Sequence, residues 1–196
     1  MNPIFLKIGN ISIYWYSIFI LIGILTASTI VLREANKKNI PKKFIEDLFF
    51  YTIIFGLIGA RLYYVIFEYK QYINNPLDIF KVWEGGLAIH GGIIAGLITI
   101  IIMTKKHKIS ILEMTDMIVV GVIIAQAIGR WGNFFNGEAY GPVTTLDNLK
   151  QLHIPQFIIN GMNINGVYYH PTFLYESLWN ILGFIFLIIL KHTNKL

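Results

Sequence analysis

The sequence has 196 residues, of which 55% are hydrophobic and 14% charged, with a formal net charge of +5. Soluble domains carry roughly 25% charged residues, so the composition excludes an ordinary soluble domain and points to one compact membrane bundle. There is no cysteine, which excludes disulfides, Cys-ligated zinc and an internal thiol nucleophile. Any thiol that reacts here is brought by a partner.

Five apolar runs approach the roughly 20 residues needed to span a bilayer. They lie near 13–32, 46–68, 86–104, 115–130 and 173–191. The expectation is an all-α integral membrane protein, a single membrane domain over 1–196 with an external cap at 139–172. The first run lacks a basic leader and a small-residue cleavage site, so it reads as a span and not as a signal peptide. The positive charge does not point to nucleic acid, because the lysines sit in short loops between the runs. Nine of them and one arginine fall on one side: Arg33, Lys37, Lys38, Lys42, Lys43, Lys105, Lys106, Lys108, Lys191 and Lys195 make ten in all, against Lys7, Lys70, Lys81 and Lys150 on the other. The positive-inside rule then puts the N-terminus outside and the C-terminus inside.

Aromatic residues agree with that orientation. Trp15, Trp83, Trp131 and Trp179 fall near the outer ends of the spans, where such rings prefer the headgroup level. Gly56-x-x-x-Ala60 and Gly92-x-x-x-Gly96 have the spacing that lets helix backbones approach closely, and carry no functional signal. In the cap, Gln156–Ile159 and Val167–Tyr169 flank Asn160-Gly161-Met162-Asn163 and read as a hairpin.

Ionisable residues in or beside the spans gather toward one face. Arg61, His90, Arg130, Glu138, His170 and Glu176 all project to the outer half of the membrane. Such residues are costly there and mark functional sites by default. Arginine matches phosphate oxygens bidentately and keeps its charge on burial. Histidine exchanges a proton near neutral pH, and Asn133 and Asn136 add neutral donors. Each also has an ordinary structural reading: Arg61 snorkelling to the headgroups, His90 as a satisfied interior histidine, Glu176 bridging to Arg61 or Arg130. A metal site on His90, His170, Glu138 and Glu176 lacks HExxH or i, i+4 histidine spacing. An ion pathway would need polar residues through the full depth, and Ser28 lies far from His90. The chemistry that fits is handling of an anionic phospholipid headgroup at the outer face, with no metal or cofactor.

The stretch Gly129-Arg130-Trp131-Gly132-Asn133-Phe134-Phe135-Asn136-Gly137-Glu138-Ala139-Tyr140-Gly141 closely resembles the signature of bacterial prolipoprotein diacylglyceryl transferases. His90-Gly91-Gly92 after Trp83-Glu84-Gly85-Gly86 is similar to the same family. So are Tyr14-Trp15-Tyr16, Gly59-Ala60-Arg61 and His170-Pro171-Thr172-Phe173-Leu174-Tyr175-Glu176. The likeness runs in order over almost the whole chain.

The resemblance implies a multi-pass protein of the bacterial cytoplasmic (inner) membrane. Its reaction moves the diacylglyceryl group of phosphatidylglycerol to the lipobox cysteine of a preprolipoprotein signal peptide, forming a thioether and releasing glycerol phosphate. Arg130 would stabilise the leaving phosphate, supported by Arg61, and His90 would take the thiol proton. Glu138 and Asn133 would orient Arg130 or the headgroup. Tyr16, Asn136, Gly141, His170, Tyr175 and Glu176 would line the lipid site. The resemblance also implies two further spans after the equivalent of Lys191, with a second arginine and a tyrosine that find no counterpart in these 196 residues. A non-catalytic relative that binds phospholipid or lipoprotein is therefore the alternative.

The charge asymmetry predicts that reporter fusions after Lys38 and Lys106 read cytoplasmic and one after Lys150 reads external. A cytoplasmic signal at Lys150 would invert the topology.

Overall fold

Hydrocarbon offers a peptide group no partner but another peptide group, so long apolar runs close into helices. The computed structural model describes residues 2–9 and 11–193. Its helices are α1 (Trp15–Lys37), α2 (Lys42–Phe67), α3 (Ile89–Lys106), α4 (Ile111–Asn136), α5 (Leu146–Gln151), α6 (Gln156–Gly161) and α7 (Thr172–His192). Five of them, α1–α4 and α7, are long and apolar enough to cross a membrane. The expected helical membrane fold is present. Lys195, counted in the charge balance, lies outside the described residues.

Helix boundaries differ from the expected spans for local reasons. α1 starts at Trp15 because residues 11–14 form β2 (Ile11–Tyr14), paired antiparallel with β1 (Ile4–Ile8). α3 starts at Ile89 and not at 86, because Gly85 and Gly86 both have positive φ, 91° and 72°. α4 does not stop at Arg130 but runs on to Asn136. The glycines at 129 and 132 do not break it; Gly132 makes room for a neighbouring helix.

The chain divides into two compact units, residues 1–31 with 118–196 and residues 32–117. In the first unit, Gly23-x-x-x-Ala27 on α1 meets Gly121-x-x-x-Ala125 on α4. A Cβ on Gly23 would lie 3.1 Å from the Ala125 carbonyl oxygen, and one on Gly121 would lie 3.1 Å from that of Ala27. Lipid supplies no hydrophobic drive between helices, so close backbone packing has to hold them. Farther along α4, a Cβ on Gly132 would sit 3.1 Å from the Tyr16 Cα. α7 joins α4 through a buried polar link: Ser177 Oγ donates to the Ala127 carbonyl at 2.9 Å and accepts from Trp131 Nε1 at 3.2 Å.

The cap lies in this unit. It contains β3 (Val143–Thr144), β4 (Asn163–Ile164) and β5 (Val167–Tyr169), ordered β3-β5-β4 and antiparallel, with α5 and α6 between β3 and β4. Gln156–Ile159 is the start of α6, not a strand. Its Ile158 joins Met162, Phe134 and Phe173 in a buried cluster, ringed by Trp131, Phe135, Ile154 and Leu174. Ile158, Ile159 and Met162 are all buried; sequence neighbours point to opposite faces of a strand but can share the inner side of a helix with a residue four apart, which explains the correction. The hairpin is instead β4–β5, turning at Asn165-Gly166 with φ of 52° and 84°. An Asn-Gly pair with both φ positive is what a two-residue hairpin turn requires.

The tryptophans divide. Trp83 and Trp179 are about three-quarters exposed, at 76% and 75%, as a headgroup belt requires. Trp15 stacks on Phe135 at 5.0 Å and Trp131 packs edge-on to Phe173 at 5.3 Å, so these two serve the interior.

In the second unit, α2 and α3 pack along their lengths. Their tightest contact is Gly59 against Gly91, where a Cβ on Gly91 would overlap the Gly59 carbonyl and Tyr63 Cβ. The Gly56 and Gly92 positions sit at the same seam with more room, 3.5 Å from a Gly92 Cβ to the Gly56 oxygen. Hydroxyls within the spans bond back one turn, as in Ser28 to Ile24, Thr99 to Ala95 and Thr104 to Ile100. This settles these three hydroxyls locally.

Gly91→Ala should therefore destabilise the detergent-solubilised protein by about 1–3 kcal/mol, the usual cost of overpacking, whereas Gly92→Ala should be close to neutral. Thermal or denaturant unfolding of the two variants checks this; equal stability would remove the Gly59–Gly91 contact as a constraint.

Candidate active site

The C-terminal end of α4 is closed by its own sequence. Gly137 has φ of 67°, its N–H donates to the Phe134 carbonyl at 3.2 Å, and the Glu138 N–H donates to the Asn133 carbonyl at 3.1 Å. These are the paired bonds of a Schellman cap with glycine in the left-handed position. The Glu138 side chain then folds back over the same turn. Its Oε1 accepts from Asn133 Nδ2 and Asn136 Nδ2, both at 3.3 Å. Backbone and side chain together hold residues 133–138 as one small polar platform.

Arg130 lies one turn before that platform. Its Nη2 is ion-paired with Glu176 Oε2 on α7. Of the expected partners for Arg130, then, the structure supplies Glu176, while Glu138 is engaged by the two asparagines. Both ends of the pair remain accessible, 37% for the Arg130 side chain and 47% for Glu176. Exposed pairs of this kind contribute about 0–1 kcal/mol, so the guanidinium is readily exchanged to another anion.

The rest of the first unit's candidates sit around this helix end. The Gly141 N–H donates to the His170 carbonyl at 2.9 Å, and a Cβ on Gly141 would lie 2.7 Å from Thr172 Cγ2. Thr172 Oγ1 donates to the Ala139 carbonyl at 2.7 Å. These bonds lash the start of α7 to the residues after the cap of α4, which is why only glycine fits at 141. His170 Nδ1 is 3.1 Å from the Tyr175 hydroxyl. Tyr16 packs its ring edge on Gly132 and is 38% exposed.

Arg61 and His90 belong to the second unit. Arg61 does not snorkel: it is 7% exposed. Its Nε donates to Ile79 O at 2.8 Å, Nη1 to Gly85 O and Gly86 O at 2.7 and 2.9 Å, and Nη2 to Asp78 O and Lys81 O at 2.7 and 3.5 Å. A guanidinium has five N–H donors, and all five are directed at backbone carbonyls. Asp78 itself pairs with Lys81 at 2.7 Å. That hydrogen bond, then the charge of Asp78 and then that of Glu84, raise the Lys81 ammonium above its ordinary pKa. His90 stands in the first turn of α3, exposed, with its ring over that of Tyr63 at 6.1 Å.

A family model described as prolipoprotein diacylglyceryl transferase matches residues 3–196. The chain belongs to that family. Proteins named phosphatidylglycerol–prolipoprotein diacylglyceryl transferase are similar to it over nearly its whole length. That of Listeria monocytogenes serotype 4b is 49% identical over 194 residues, covering 99% of this chain and 70% of the relative. That of Halalkalibacterium halodurans is 46% identical over 194 residues, covering 99% and 67%. That of Staphylococcus aureus strain Newman is 44% identical over 196 residues, covering 100% and 70%.

For this diacylglyceryl transferase family member, sequence reasoning missed three parts of the site's support: the Trp131–Ser177–Ala127 link, the Thr172 bond to Ala139, and the α1–α4 glycine seam. Ser177 and Thr172 look like ordinary small polar residues in sequence. The seam had a visible signal, small residues four apart on both helices. Gly137 after Asn136 was also a legible helix stop.

Proposed function

We propose that this chain transfers the diacylglyceryl group of phosphatidylglycerol to the lipobox cysteine thiol of preprolipoproteins. It would do so at the outer face of the bacterial cytoplasmic membrane, as the first step of lipoprotein maturation. The carrying observation is the state of Arg130. Its planar fork is held at the rim of the site by one exposed carboxylate, and a phosphodiester presents the same two-oxygen geometry to it. Arg61 offers no such exchange, because its donors are already spent on carbonyls.

In the reaction a C–S bond forms between the cysteine sulfur and the glyceryl carbon, and the C–O bond to phosphate breaks. Glycerol phosphate leaves with the electron pair. Arg130 stabilises the charge that builds on the phosphate oxygens as that bond breaks. The Asn133–Asn136–Glu138 platform keeps the end of α4 rigid beneath it and offers amides to the glycerol hydroxyls. His90 takes the proton from the thiol, whose unperturbed pKa of about 8.5 leaves it mostly protonated near neutrality. Tyr16, Gly141, His170 and Tyr175 form the wall around the lipid. No metal or cofactor enters the scheme.

Arg130→Lys keeps the charge but loses the fork, so it should clearly weaken capture of photolabelled phosphatidylglycerol and reduce turnover. Wild-type behaviour in Arg130→Ala would remove the phosphate-clamp role. Complementation of a strain depleted of its own transferase tests the activity as a whole.

His90→Gln should preserve lipid capture while lowering thiol transfer by about 10²–10⁴-fold, the usual contribution of a general base. Loss of lipid capture in that variant would make His90 a headgroup ligand instead.

A further inference from the structure

Residues 78–86, between α2 and α3, lack regular strands or long helices, and two adjacent glycines there have positive φ. Arg61 gathers the carbonyls of that segment. Two of its bonds fall on Gly85 and Gly86 through the same Nη1. The next residue but one is tied to the neighbour of Arg61: the Ala88 N–H donates to the Ala60 carbonyl at 3.0 Å. Ala88 is the N-cap of α3. Residues 85, 86 and 88 are thus all registered on Ala60 and Arg61, and His90 follows directly. Its ring lies over Tyr63, and Gly91 rests against Gly59.

We propose that Arg61 is a positioning residue for His90, fixing the loop that leads into α3, and does not bind the lipid phosphate. The inference rests on the reading of His90 as the base. The stretch Gly59–Tyr63 of α2 serves as a template for residues 85–91. The guanidinium is its central tie, since no other side chain presents five donors in one rigid fork. A phosphate at Arg61 would take these donors away from the carbonyls they now satisfy, each through a charge-assisted bond. A general base must sit within hydrogen-bond reach of its proton, and displacement by about 1 Å can cost on the order of 10²-fold in rate.

The test uses the full 196-residue chain in phosphatidylglycerol-containing nanodiscs, with histidines labelled at Cε1 for NMR. His90 is assigned by the signal lost in His90→Gln. Arg61→Lys keeps the charge and cannot span the carbonyls. Gly86→Ala leaves Arg61 in place but puts a Cβ onto its Nη1, 2.9 Å from the Tyr64 ring and at a φ of 72°. Each variant should shift the His90 signal away from its position over Tyr63, leave the other histidine signals in place, and leave capture of photolabelled phosphatidylglycerol unchanged. Turnover should fall by about 10²-fold without a change in KM for the lipid, and the double variant should be no worse than either single one. Arg130→Lys should show the reverse, with capture reduced and the His90 signal unmoved.

Loss of lipid capture with an unmoved His90 signal in Arg61→Lys would overturn the proposal in favour of phosphate binding. Collective movement of all the histidine signals would overturn it in favour of general support of the fold. Full turnover in His90→Gln would instead defeat the reading of His90 as the base, whatever the signals in the Arg61 variants show.

Discussion

In hydrocarbon an unpaired N–H or C=O has no water to turn to, and unsatisfied groups cost several kcal/mol each. This chain leaves regular helix twice near its candidate chemistry, and each departure is answered by hydrogen-bonding partners from nearby side chains or backbone. Residues 78–86 are answered by the five donors of Arg61. Residues 137–141 are answered by the Schellman bonds, by Thr172 and by the His170 carbonyl. The irregular backbone that carries function is possible because these groups absorb its unmet polarity.

The two arginines show how the same residue type takes opposite roles. Each carries a permanent charge six residues before the C-terminal end of a membrane-spanning helix. Arg61 is enclosed, its charge dispersed over carbonyl dipoles in a geometry too complete to give up. Arg130 is held by a single accessible carboxylate, Glu176. A bound anion competes with one weak pair in the second case and with five directed bonds in the first. Exposure and donor count separate a structural arginine from an exchangeable one, and neither quantity is written in the residue name.

Helix packing follows the same economy. Where backbones approach, small residues stand on both sides: Gly23 and Ala27 against Gly121 and Ala125, and Gly59 against Gly91. The tight seams lead to the candidate residues. The α1–α4 seam continues to Gly132 and Tyr16, with Gly132 two residues from Arg130 and beside Asn133. The α2–α3 seam ends at Gly91, next to His90. The cluster of Phe134, Phe173, Ile158 and Met162 anchors the cap to α4 and α7, the helices that carry Arg130 and Glu176.

Apolar runs of spanning length, sparse charge and the pattern of lysines were enough, by themselves, to determine a five-span helical membrane protein, because the bilayer permits a chain of that composition little else. The thirteen residues from Gly129 to Gly141 were enough to indicate the family, since so dense a set of polar and glycine residues at the end of a span has few uses. Tertiary structure decided what local pattern leaves open. Gly129 and Gly132 look like breaks until a neighbouring helix is seen to occupy the space they leave, and α4 continues to Asn136. Gln156–Ile159 suits a strand as well as a helix until the neighbours Ile158 and Ile159 are both required inside together with Met162. Glu176, not Glu138, pairs with Arg130, because α4 and α7 are far apart in sequence and meet only in space. Arg61 became a carbonyl clamp for a related reason: its acceptors lie 17 to 25 residues away, and no periodicity along one helix can reveal partners supplied by a loop that folds back over it.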